Sequence, residues 1–145
     1  MRALIQRVQS ASVSIDGKVI ASIEQGLLAF IAVEKSDDDI RANKLLEKLL
    51  NYRVFSDAQG KMNLSLQETR GGLLLVSQFT LAADTQKGLR PGFSSAASPE
   101  DARRLYGYFV EQALARYPDT HSGIFSADMQ VALINDGPVT FLLDV

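Results

Sequence analysis

The chain has 145 residues, 46% of them apolar, with 15 basic and 17 acidic side chains and a formal net charge of -2. That size and composition predict a single compact domain, 1–145, with a sizeable core, while the slight negative charge excludes broad phosphate neutralisation as a way of holding nucleic acid. The absence of cysteine excludes disulfides, thiolate catalysis and sulfur-ligated zinc, and fits a reducing, cytoplasmic location.

The N-terminal MRALIQRV alternates and carries two arginines, and no apolar run reaches the roughly 18 residues needed to span a bilayer, so neither signal peptide nor membrane segment is expected. Residues 2 to 8 read as strand. Ser10 to Ile15 and Lys18 to Ile23 flank Asp16-Gly17, a pair that accepts the positive φ of a tight hairpin turn. Leu27 to Val33 is a continuous apolar run after Gly26, the pattern of a strand buried on both faces. The period then changes. Ser36 followed by Asp37, Asp38 and Asp39 reads as an N-cap with acids in the first turn. Ala42, Leu45, Leu46, Leu49 and Leu50 continue at helical spacing, predicting a helix from about Asp37 to Asn51. On it, Arg41, Lys44 and Lys48 form a basic stripe, the one local candidate for an RNA footprint beside the plainer reading of a solvated face.

Arg53 to Ser56 and Lys61 to Leu64 surround Asp57-Ala58-Gln59-Gly60, predicting a second hairpin. Arg70-Gly71-Gly72 precedes another buried strand, Leu73 to Phe79. Leu81 to Ala97 has little periodicity and reads as a long loop, the kind of segment that carries function in a small domain. Ser98-Pro99-Glu100-Asp101 then supplies a cap, a first-turn proline and two acids. The helix it starts has Ala102, Leu105, Tyr106, Phe109, Val110, Ala113 and Leu114 on one face and stops near Tyr117-Pro118. From Gly123 to Asn135 alternate residues share one face of a predicted strand, including Phe125, Ala127 and Met129. Asn135-Asp136-Gly137-Pro138 interrupts it, and Val139 to Val145 is expected to complete a final hairpin through the Gly-Pro corner. The sum is mixed α/β: barrel-like sheets with two amphipathic helices packed on them.

Catalytic chemistry is sparse. His121 is the only histidine, and its polar neighbours Asp119, Thr120 and Ser122 make it a surface turn residue rather than a triad base. Asp37 to Asp39 are explained by capping better than by metal binding. Two segments stand out: Ser77-Gln78-Phe79-Thr80-Leu81, where a buried strand ends in polar groups, and Asn135-Asp136-Gly137-Pro138-Val139-Thr140, where a proline removes a ladder donor. Each alone has a local explanation, in satisfied backbone groups or a simple turn.

Together, and in this order, these two segments resemble the signatures of the D-aminoacyl-tRNA deacylase family. The likeness extends to Met1–Val8, Asp16-Gly17, the loop Lys87-Gly88-Leu89-Arg90-Pro91-Gly92-Phe93 and the strand Gly123–Met129, and so covers the whole chain. It implies a hydrolase acting on aminoacyl-tRNA without cofactor or metal, as a homodimer with active sites at the subunit interface. Gly137 and Pro138, joined by a cis bond, would enter the partner's pocket, bind the substrate's α-amino group and leave no room for an L side chain, so glycine, as when mischarged on tRNA-Ala, would be a second substrate. The resemblance puts Ser77, Gln78, Phe79 and Thr80 around the terminal adenosine and the ester. Backbone N–H groups near Phe79 and Thr80 would face the oxyanion, and the tRNA 2′-hydroxyl would help activate water. It puts Phe125, Ala127 and Met129 at the adenine, and Arg7 against the corner formed with Asn135, Val139 and Thr140. Lys87 and Arg90 are the expected RNA contacts of the loop. Rival readings are a non-catalytic dimeric RNA-binding protein using the basic stripe, and a hydrolase of free D-amino-acid esters.

Overall fold

The computed structural model describes residues 1–86 and 88–145. Asp16 and Gly17 take φ of 50° and 77°, and across them β1 (Arg2–Ile15) and β2 (Lys18–Ile23) pair antiparallel. β3 (Gly26–Ala32) lies antiparallel to the first half of β1, and β6 (Gly72–Ser77) lies parallel to β3. β7 (Thr120–Ser122) adds to β6 in parallel, and β8 (Gln130–Asp144) returns along β1. A separate small hairpin joins β4 (Phe55–Ser56) to β5 (Met62–Leu64). The helices are α1 (Asp39–Asn51), the single turn α2 (Leu66–Thr69) and α3 (Pro99–Arg116).

The sheet order β2-β1-β3-β6-β7, with β8 on β1, curls until its ends approach: a Cβ added to Gly72 of β6 would stand 2.8 Å from the Ile23 side chain of β2. This is the expected mixed α/β, barrel-like architecture. Because successive strand residues point to opposite faces, β3 and β6 feed two cores. Leu27, Ala29, Ile31, Leu73 and Leu75 pack under α1 and α3 with Leu45, Leu46, Leu49 and Phe109. Leu28, Leu74 and Val76 fill the barrel with Val8, Val13 and Ile23. At the start of the parallel pair the backbones nearly touch, for a Cβ on Gly26 would meet Gly72 O at 2.0 Å. Only glycine permits that approach.

Several local features differ from the sequence reading. The cap of α1 is Asp38, whose extended backbone lets its carboxylate accept from Arg41 N at 2.8 Å. Asp37 is instead buried, accepting from Glu34 N at 2.7 Å, and Ser36 caps nothing. β6 ends at Ser77, and Phe79–Ala82 forms a 3₁₀ turn, so Phe79 leaves the strand. Residues 123–129 are irregular, with Ser126 at φ 66° breaking the alternation. α2 went unpredicted although Ser65 and Glu68 close a reciprocal capping box.

The largest departure is the C-terminal segment, which is no hairpin. Both halves of β8 pair antiparallel with the same strand: Leu133 opposes Ala11 and Asn135 opposes Val8, then Thr140 opposes Gln6. Residues 136–139 bulge from one continuous strand. Among the described residues no helix is long and apolar enough to cross a membrane.

Two predictions follow from this packing. Phe109→Ala, at a fully buried position, should cost about 3–5 kcal/mol in denaturant unfolding. The Asp57 carboxylate is held below its ordinary value of 3.8 by the Lys61 N–H and the Asn63 amide, and Glu68 below 4.5 by the Ser65 N–H and hydroxyl. Stability from such depressed groups is present above the unfolded values and lost as pH falls through the folded ones. Denaturation followed across acid pH should therefore show a shallower loss below pH 4.5 for Asp57→Asn with Glu68→Gln than for the wild type.

Candidate active site

The polar end of β6 opens into a cavity of about 480 Å³, lined by Val76, Ser77, Gln78 and Phe79 on one side and Phe125, Ser126, Ala127, Asp128 and Met129 on another. α3 supplies Pro99, Ala102 and Tyr106. Ala102 and Tyr106 are one helical turn apart and share a face, which is why a face that reads as core also furnishes a pocket wall. The Tyr106 hydroxyl donates to Leu75 O at 3.2 Å. Burial pushes that hydroxyl well above the usual tyrosine value, so it remains a neutral donor and offers no base.

At the mouth, Gln78 Nε2 donates to Thr80 Oγ1 at 2.6 Å, and Phe79 stands 60% exposed with its ring 5.1 Å from that of Phe93 in the long loop. Gln78 N is committed to Ile31 O at 2.8 Å. The next two N–H groups, of Phe79 and Thr80, open the 3₁₀ turn, where a helical geometry provides no preceding carbonyl to receive them.

The structure thus gathers Ser77, Gln78, Phe79, Phe125, Ala127 and Met129 around one cavity, with Thr80 bonded to its edge. The corner residues lie elsewhere. The Gly137–Pro138 peptide bond is cis, Gly137 has φ 134°, and both residues are exposed and line no part of this cavity. Asn135 ties the bulge together, accepting from Val139 N at 2.8 Å and donating to Thr140 Oγ1 at 2.9 Å. Arg7 braces it from below: Nε donates to Asp136 O at 3.0 Å and pairs with its carboxylate at 3.3 Å, while Nη1 donates to Val54 O at 2.7 Å. A Cβ on Gly137 would come within 3.0 Å of Arg7 Nη2 and 2.8 Å of the Val139 side chain, so this position excludes other residues twice over, by conformation and by space.

Arg90 is exposed on the long loop, and Lys87 lies outside the described residues. His121 sits exposed on β7, its ring 3.1 Å from Asp119, away from the cavity lining. The basic stripe is largely engaged: Arg41 Nη1 donates to Val145 O at 2.8 Å and Lys48 Nζ to Asp144 O at 2.9 Å. Among the described residues no three His, Asp or Glu side chains are grouped to hold a metal ion. The sequence reading missed Tyr106, Ser126 and Asp128 as lining residues, the first hidden by its helical apolar face and the others by an alternation that mimics a strand.

The model of the D-Tyr-tRNA(Tyr) deacylase family matches residues 4–144. A D-aminoacyl-tRNA deacylase of Pseudomonas putida is 61% identical over 145 residues, covering the whole of both chains, and one of Haemophilus ducreyi is 61% identical with the same coverage. Among solved structures, a c-Myc DNA unwinding element binding protein superposes with a TM-score of 0.96 at 37% identity, covering 100% of this chain and 99% of the other. A probable eukaryotic D-amino acid tRNA deacylase shares the fold, with a TM-score of 0.88 at 17% identity over 99% and 98% of the two chains. A barrel-like α/β enzyme with a cavity at a strand end, related over its full length to deacylases, is a hydrolase. The chain belongs to the D-Tyr-tRNA(Tyr) deacylase family.

Arg7 holds carbonyls on two separate segments, so Arg7→Ala and Arg7→Lys should both lose about 1–3 kcal/mol in chemical denaturation. A lysine that retained full stability would show that the fork geometry is dispensable.

Proposed function

We propose that this protein hydrolyses the ester joining a D-amino acid to the terminal ribose of a tRNA, and that it also removes glycine, as when mischarged on tRNA-Ala. The observation that carries this reading is the cavity itself: its volume suits a nucleoside, and Ser77, Gln78, Phe79 and Thr80 meet at its mouth. The terminal adenosine occupies the cavity against Phe125, Ala127 and Met129, which leaves the ester beside Thr80. The N–H groups of Phe79 and Thr80 face the carbonyl and stabilise the oxyanion as water attacks.

Thr80 acts by positioning. A threonine nucleophile needs a proton acceptor, and the group bonded to its Oγ1 is the Gln78 amide, which takes no proton. Water is activated with help from the ribose 2′-hydroxyl, and neither metal nor cofactor takes part. Two copies complete the site. Ile134 and Leu142 of β8 are 56% and 54% exposed on the strand that carries the protruding Gly137 and Pro138, and a second copy covers this face while its own corner enters the cavity. There the corner's carbonyls take the substrate's α-amino group and its backbone fills the space an L side chain would need, so discrimination is by exclusion. The reducing cytosol, where a cysteine-free chain is at no disadvantage, is the proposed location.

Hydrolysis of matched D-, L- and glycyl-tRNA esters by the purified protein in the presence of a chelator tests the reading. Loss of the D and glycyl esters with survival of the L ester is expected, and equal or absent hydrolysis would overturn it. Thr80→Ala keeps the backbone N–H and loses only a positioning hydroxyl, so it should lower kcat by less than the roughly hundredfold to thousandfold cost of removing an oxyanion donor. Complete loss of turnover would instead favour a covalent role.

A further inference from the structure

The guanidinium of Arg103 lies over the Phe125 ring, 4.9 Å from its centroid, and the other neighbour of that ring is Tyr106, with centroids 5.9 Å apart. Phe125 and Tyr106 both line the cavity, as does Ala102, the residue before Arg103 on α3. Arg103 is exposed, so the stacking holds a cation at the cavity's rim. Its helix neighbours are committed: Arg104 pairs with Asp39 at 3.0 Å, and Arg116 donates to Asn43 Oδ1. Among the described residues Arg103 makes no ion pair or hydrogen bond, and its guanidinium lies over the Phe125 ring. Glu100, three residues earlier on the same side of the helix, makes no ion pair with Arg103, and the Asp101 carboxylate accepts from the Ser98 hydroxyl. Asp128 lines the cavity without pairing to Arg103.

A guanidinium whose face rests on a ring still has its N–H edge free for an oxyanion, a geometry that a lysine ammonium does not reproduce. The chain's net charge of -2 gives no general attraction for a polyanion, so an uncommitted arginine beside the cavity carries particular weight. With a nucleoside in the cavity, a phosphodiester that left on the Phe125 side would pass the Arg103 guanidinium.

We propose that Arg103 binds the phosphodiester 5′ to the terminal adenosine of the substrate, with Phe125 orienting its guanidinium. The proposal rests on the reading of the cavity as the site for the end of an aminoacyl-tRNA. It separates two substrates by chemistry: a D-aminoacyl-tRNA carries that phosphate, and a D-aminoacyl-adenosine does not.

Steady-state hydrolysis of both esters by wild type, Arg103→Gln and Arg103→Lys, over a series of salt concentrations, tests it. Arg103→Gln should raise KM for the tRNA ester about fivefold to tenfold, as expected for one charge-assisted contact, with kcat nearly unchanged because the contact exists equally before and during reaction. The slope of log KM against log salt should fall by about one phosphate contact. Arg103→Lys should recover the slope but only part of the affinity, and the adenosine ester should not distinguish the three proteins. An unaltered slope and KM for Arg103→Gln on the tRNA ester would overturn the proposal, and so would equal damage to both esters, since the arginine would then act only through Phe125. A wild type inactive on both esters would overturn the underlying reading and the proposal with it. The salt slope on the tRNA ester decides the matter even where the adenosine ester is too poor a substrate to follow.

Discussion

The structure depends on the parallel contact between β3 and β6. These two strands are buried on both faces, one side supplying the core under the helices and the other the interior of the barrel. Their backbones are locked together at Gly26 and Gly72, where no side chain fits between them. Strands buried on both faces can give no side chains to solvent, so polar chemistry can begin only where one of them ends. β6 ends at Ser77, and the cavity starts there. The location of the candidate site follows from the place where burial stops.

The same constraint explains the character of the site. Its floor is apolar and its one buried hydroxyl, on Tyr106, is spent on a backbone carbonyl. Apart from the Asp128 carboxylate of the lining, what remains at the mouth are amide, hydroxyl and backbone N–H groups, which place a substrate and stabilise charge. On the proposed reading, a hydrolase so equipped would rely on positioning and on what its substrate brings.

Much of this was legible in the sequence where local chemistry decides the outcome. Asp16-Gly17 favours a hairpin by its own conformational preferences, and the apolar spacing of Leu45, Leu46 and Leu49 marks a helix with one face to bury. Tertiary pairing was less visible. Residues 123 to 129 alternate like a strand, yet they carry a positive φ at Ser126, pair with no strand and form a wall of the cavity. The corner at 136–139 has the composition of a hairpin turn, and only the register with β1 reveals a bulge. The start of α1 was displaced by the burial of Asp37, a demand placed by residues outside the helix. Of the candidate site, the polar strand end could be read from the sequence. The contribution of α3 could not, since Tyr106 and Ala102 carry the ordinary pattern of a core-facing helix.

The bulge in β8 has one more consequence. The strand is pinned to β1 on both sides of residues 136–139 by separate runs of antiparallel pairs, and the ladder resumes in phase with its own face rather than with the length of what intervenes. The protruding corner is therefore held to the sheet through one side chain, Arg7, and not through the ladder: residues could be added or removed at its tip, beyond the Arg7 contact, while each flanking ladder keeps its register. The fold thus offers an adjustable finger on a fixed frame, a part whose reach could be altered by evolution or by design without reopening the question of how the protein folds.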